Sequence, residues 1–111
     1  MKRITPEEVL EAFVSQELTP MQGAYFQKDG CACGLGAMAK KMGMVTYYTP
    51  EKYSGRETGK KLSEYYGVNY HDGFARGFDN QGIDGFGEAY SKGYEDGLAA
   101  WEAVSHLAVS P

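Results

Sequence analysis

Residues 73–87 read "GFARGFDNQGIDGFG", with glycines at 73, 77, 82, 85 and 87. Such a stretch is a ligand-cradling loop, a calcium loop, or the meeting place of two closely packed helices. Its neighbourhood discriminates. Tyr70-x-x-Gly73-Phe74-x-x-Gly77 is repeated 20 residues later as Tyr90-x-x-Gly93-Tyr94-x-x-Gly97. In both copies the glycines lie four apart, on one side of a helix. A glycine inside a helix costs up to about 1 kcal/mol relative to alanine, so four of them imply a compensating gain. Close backbone approach between two helices supplies it. The expectation is an antiparallel pair packed through Gly73, Gly77, Gly93 and Gly97, with Gly82, Gly85 and Gly87 forming the turn between them.

The competing readings fail on spacing. A calcium loop starting at Asp79 would carry Ile83 at its fifth position, Asp84 where glycine is required and Tyr90 where a bidentate glutamate is required. An irregular cation site at Asp79 and Asp84 is the weaker form of the same idea. Gly34-Leu35-Gly36-Ala37-Met38-Ala39 matches a dinucleotide fingerprint, with Glu57 about 20 residues on. That motif needs a buried parallel strand before it, and the preceding residues are not the Val/Ile-rich run such a strand requires. Helix packing through small residues accounts for it better.

Further helices follow from their punctuation. Thr5-Pro6-Glu7-Glu8 combines an N-cap, a proline in the first turn and early acids. Val9, Leu10, Phe13 and Val14 form the apolar stripe of that helix, which should end near Leu18. Residues 25–33 are compatible with a short β-hairpin about Asp29-Gly30 and equally with an irregular loop. A small-residue helix runs from Gly34 to Gly43 with Leu35, Met38 and Met42 inward. Residues 45–53 connect, with a helical turn expected at Thr49-Pro50-Glu51. Ser54-Gly55-Arg56-Glu57 spells a capping box for a helix that stops at Gly67. Asn69 is placed to cap a helix over 70–79, and a last helix spans 86–106. Tyr90, Tyr94, Gly97, Trp101, Val104 and Ala108 form its seam. The expected fold is all-α, a compact bundle of four to five helices in a single domain, 1–111.

Charge bounds function. Residues 1–61 carry nine Lys/Arg against seven Asp/Glu, whereas residues 62–111 carry two against eight. This acidic balance disfavours nucleic acid, and the pairs Lys40/Lys41 and Lys60/Lys61 read as solvated helix surface. Opposite charge on the two halves permits head-to-tail self-association. The chain has no apolar stretch that reads as a leader or a span, so a cytoplasmic protein without membrane partners is expected.

Chemistry-bearing residues are few. Cys31 and Cys33, separated by one residue, invite a metal with His71 or His106, and with Asp29 and Asp72 as oxygen candidates, although no second cysteine pair completes a site. A nucleophilic set of cysteine, His71 and Asp72 is disfavoured because adjacent helical residues point about 100° apart. His71 reads as a helix-surface residue, and Arg76 as an intrahelical ion-pair partner of Asp72 or Asp79. Tyrosine and phenylalanine are abundant near glycines, and aromatic anchors favour interfaces.

"GAYFQKDGCACGLGAMAKKMG", residues 23–43, resembles the CALGA-type segment of small uncharacterised bacterial and phage-associated domains. The matching residues are Cys33, Leu35, Gly36, Ala37 and Met38, with Gly34 where alanine is commoner. The resemblance implies a small, mostly helical domain and brings no activity with it. The expectation is a non-enzymatic binding or regulatory module acting through protein contacts, as a homodimer in one version, with no cofactor. The alternative is a small-molecule or metal-binding protein using Cys31, Cys33 and His71.

Overall fold

The first helix, α1 (Pro6–Ser15), begins where the sequence says it should. The Thr5 hydroxyl accepts the Glu8 amide, and the Glu8 carboxylate reaches back to accept the Thr5 amide. A computed structural model of the chain describes residues 2–23, 25, 30–45, 47–49 and 52–108. After α1 come the two-residue strands β1 (Thr19–Pro20) and β2 (Cys31–Ala32), then α2 (Gly34–Lys41) and the strands β3 (Tyr47–Thr49) and β4 (Lys52–Tyr53). Three longer helices complete the chain: α3 (Gly55–Tyr66), α4 (Val68–Phe78) and α5 (Glu88–Val104), the last running into a 3-10 turn at Ser105–Ala108. The protein is predominantly α, with five α-helices around one core.

Several local expectations need correction. The buried face of α1 is Val9, Ala12 and Phe13, while Val14 is exposed. The helix stops at Ser15, and Glu17 then takes a left-handed φ of 54°. Cys31–Ala32 pairs in parallel with Thr19–Pro20; residues 26–29, the other arm of the hairpin considered for 25–33, lie outside the described residues. Tyr47–Thr49 and Lys52–Tyr53 pair antiparallel as β3 and β4 rather than forming a plain connection, and Pro50–Glu51 of the expected helical turn lie outside the described residues. Asn69 is not a cap. The chain turns from α3 into α4 at Gly67, whose φ of 94° suits glycine, so α4 starts two residues earlier with no side-chain cap.

An aromatic ladder runs from the end of α3 along one side of α4. Tyr66, Tyr70, Phe74 and Phe78 sit with successive ring centroids 6.0, 6.4 and 6.2 Å apart. Phe78 also meets Trp101 edge-on at 5.3 Å and Phe13 at 6.4 Å. Tyr70, Phe74 and Phe78 are each at most 1 % exposed, and burying a side chain of this size contributes roughly 1.5–3 kcal/mol. The edge of Phe78 lies against Gly34, where a Cβ would come within 2.9 Å of the ring.

The other side of α4 meets α5 in the largest helix–helix interface of the molecule. A Cβ at Gly73 would overlap the Tyr90 carbonyl oxygen, and one at Gly93 the Tyr70 carbonyl oxygen. Gly77 stands in the same relation to the Tyr94 carbonyl, and Gly97 to that of Phe74. The four glycines are thus the packing sites expected from the repeat, and the bare Cα atoms bring backbone against backbone.

The direction, however, is opposite to expectation. Gly73 faces Tyr90 and Tyr94, and Gly77 faces Tyr94 and Leu98, so residue numbers rise together along both helices. The pair is parallel, with the two copies related by a local two-fold. The connection makes this feasible. Residues 79–87 need only run back along a helix of 11 residues, about 16 Å, and nine residues reach about 30 Å when extended.

Candidate functional site

Of the metal candidates, Cys33 follows β2 and caps α2, its Sγ accepting the Gly36 amide at 3.4 Å. It is buried, and desolvation pushes the thiol up to about 12. At neutral pH it therefore stays a thiol, whereas the thiolate is the nucleophile and the metal ligand. Cys31 is half-buried on β2. His71 is buried on α4, not on the helix surface. Both its ring nitrogens are engaged: Nε2 lies 2.8 Å from the Tyr25 hydroxyl and Nδ1 3.1 Å from Asp72 Oδ1. Adjacency on the helix therefore does not keep Asp72 from orienting His71, contrary to expectation. Asp29 lies outside the described residues. Among the described residues, no three His, Cys, Asp or Glu side chains are placed to hold one metal ion.

Tyr25 is the residue that sequence reasoning missed. Its carbonyl lies on Gly36 and its hydroxyl near Gly59, where a Cβ would stand 2.8 Å from the oxygen. Tyr25 thus bridges α2, α3 and α4. Burial first, then the nearby Cys33, Asp72 and Tyr53, push its phenol up to about 12. When the Tyr25 hydroxyl donates to His71 Nε2, the ring proton sits on Nδ1 and faces Asp72; in the other tautomer the Tyr25 oxygen accepts from Nε2. The only sequence trace of this arrangement is the pair of glycines that make room for the tyrosine. They lie 11 and 34 residues away from it.

Tyr25 and Cys33 share a cavity of about 320 Å³ with Leu35, Tyr53, Ala75, Phe78 and Asp79. Gly23 completes the lining. The Gln22 amide donates to the Phe78 carbonyl at 3.0 Å, and the Gly23 amide to Asp79 Oδ1 at 2.9 Å. Burial raises the Asp79 carboxyl above its usual range, opposed by the Gly23 amide and by Arg76. Glycines 34 and 36 of the apparent dinucleotide motif are occupied by Phe78 and Tyr25, so protein fills the space a pyrophosphate would need.

The return loop between α4 and α5 is the second feature of note. Arg76 donates Nε and Nη2 to the Gly82 carbonyl at 3.0 and 2.6 Å and lies 3.5 Å from Asp84, in place of the intrahelical pairing expected for it. The Tyr94 hydroxyl donates to the Gln81 carbonyl, and the Tyr90 hydroxyl to Asp84 Oδ1, both at 2.6 Å. The Asp84 amide donates in turn to the Tyr90 oxygen at 3.2 Å. Asp79 and Asp84, considered above as a cation pair, are thus drawn to different partners. Between these anchors Ile83 and Phe86 project into solvent, 67 % and 92 % exposed.

Comparison with protein-family models, curated proteins and solved structures finds no match to this chain. No helix among the described residues is long and apolar enough to cross a membrane.

Proposed function

We propose that this chain is a non-enzymatic binding module acting through protein–protein contacts, with the α4–α5 return loop as its anchor. The observation that carries the reading is the exposure of Phe86 and Ile83 on a loop held by five side-chain hydrogen bonds. A phenylalanine moved from water into a partner's pocket gains roughly 1.5–3 kcal/mol. Because the loop is ordered before contact, little further entropy is lost on binding. Central aromatic anchors of this kind dominate interface energetics.

Charge gives the partner's character. Asp84 and Glu88 flank Phe86 in a half of the chain that carries eight acids against two bases. The matching surface is an apolar slot with a basic rim. The chemistry of the interior supports a binding role over a catalytic one: the Cys33 thiol and the Tyr25 phenol are both held protonated, and a nucleophile needs the reverse.

A photo-crosslinking side chain at position 86, with position 14 on α1 as an equally accessible control, tests this in the cells that produce the protein. Val14 is 63 % exposed. A discrete adduct from position 86 and none from position 14 is expected, its mass distinguishing a second copy from another protein. Equal or absent crosslinking at the two positions contradicts the reading.

A further inference from the structure

We propose that the cavity between α2 and the C-terminal end of α4 binds a small organic cation, a protonated amine on a compact apolar body, with Asp79 as its counter-ion. This inference concerns a different part of the molecule from the return loop and does not depend on the proposed protein contacts. The cavity, about 320 Å³, lies at the small end of the range of about 300–1,000 Å³ seen for ligand pockets. Its walls are Tyr25, Tyr53 and Phe78, with Leu35 and Ala75 between them. Aromatic and aliphatic walls select an apolar body, and ring faces attract a cation.

The polar groups on the wall decide the head group. The Tyr25 hydroxyl is used by His71 and the Cys33 thiol by the Gly36 amide. Asp79 differs. Among the described residues its one hydrogen bond is the Gly23 amide on Oδ1, and no lysine or arginine lies within salt-bridge distance. The nearest guanidinium, Arg76, is turned to Gly82 and Asp84 instead. Among the described residues Asp79 Oδ2 thus meets no donor, and it is a half-buried carboxylate oxygen at the edge of an apolar chamber. Leaving such an oxygen unpaired is costly, and a charge-assisted donor relieves it. An ammonium group supplies that donor and the compensating charge. A carboxylate or phosphate ligand would meet Asp79 with like charge.

Amide chemical-shift titration of the intact protein tests the assignment with phenethylamine, cyclohexylamine and butylamine as probes. 2-Phenylethanol and phenylacetate serve as neutral and anionic controls. Saturable shifts at Gly23, Ala75 and Asp79 with at least one amine are expected. The matched alcohol should bind about tenfold more weakly or worse, the value of one charge-assisted hydrogen bond. Asp79→Asn retains an oxygen for the Gly23 amide and should weaken the amine about tenfold while leaving the alcohol unchanged. Ala75→Leu keeps the carboxylate, fills the cavity and should abolish binding of every probe. The proposal is overturned if none of the three amines gives saturable shifts, if alcohol and amine bind alike, or if Ala75→Leu binds as the parent does.

Discussion

The two copies of the Tyr-x-x-Gly repeat use the same backbone contact and finish it with different polar partners. Tyr70 in the first copy accepts the Ile4 amide and donates to Asp96, both at 2.6 Å, and Arg3 clamps Asp96 with two hydrogen bonds at 2.8 and 3.0 Å. Tyr90 in the second copy accepts the Asp84 amide and donates to Asp84, which pairs with Arg76. Arg76 and Asp96 occupy equivalent repeat positions, so the polarity is inverted. In one copy the helix supplies the cation and the return loop the anion. In the other the helix supplies the anion and the N-terminal segment the cation. The repeat therefore fixes how the helices meet, and the residues outside it decide which segment is tied down to each end of the pair.

The largest effect should come from the shared part. Gly77→Val and Gly97→Val each drive a branched side chain into a main-chain carbonyl that cannot rotate away. Each should cost about 3 kcal/mol or more, measured by thermal or urea unfolding, and the two costs should be similar because the sites are related by the local two-fold. A large loss at one position and none at the other would break the symmetry.

The tyrosine ends should separate the copies. Tyr70→Phe leaves the buried Ile4 amide without its acceptor, at a cost of about 1–3 kcal/mol. Tyr90→Phe releases Asp84, whose side chain is 58 % exposed and recovers water, so the loss should stay under about 1 kcal/mol. Equal losses would mean that the return loop is as firmly tied as the N-terminal segment.

Alkaline pH sharpens the same contrast. Burial holds Tyr25 and Tyr66 up to about 12 and raises Tyr70 as well, whereas an unfolded tyrosine ionises near 10. Above that value the folded state holds more protons than the unfolded state. Stability from these groups is complete below pH about 10 and falls as pH rises towards 12. In Tyr70→Phe this decline should be shallower than in the parent protein, which a series of melts between pH 8 and pH 11 would show. An unchanged slope would place the Tyr70 hydroxyl in contact with water.

The smallest effect belongs to the loop. Gly82 has open space where a Cβ would stand and no left-handed φ. Gly82→Ala should therefore leave stability unchanged or raise it by up to about 1 kcal/mol, in contrast to Gly77→Val five residues earlier.

What the sequence discloses follows from the range of the interaction. The caps at Thr5 and Ser54, the stop at Gly67 and the role of the four interhelical glycines rest on residues a few positions apart, and all were legible. The direction of the α4–α5 pair was not, because it depends on Arg76 reaching Gly82 and Tyr94 reaching Gln81. Those bonds let residues 79–87 double back rather than turn at once. Val14 satisfies helical spacing as well as Ala12 does, so periodicity alone chose the wrong stripe. The Tyr25–His71 contact joins residues 46 apart through a tyrosine with no motif around it. Of the candidate residues, His71 was expected on the helix surface and is instead buried between Tyr25 and Asp72. Phe86 was one aromatic among many until the loop geometry isolated it.

The central claim is that α4 and α5 run in parallel, face to face through their glycines. Paired spin labels measure it most directly, in a Cys31→Ser/Cys33→Ser background with labels at exposed positions 69 and 91 in one sample and 69 and 102 in another. The parallel pair predicts a clearly shorter distance between 69 and 91 than between 69 and 102. The reverse order would mean an antiparallel hairpin and would contradict the account.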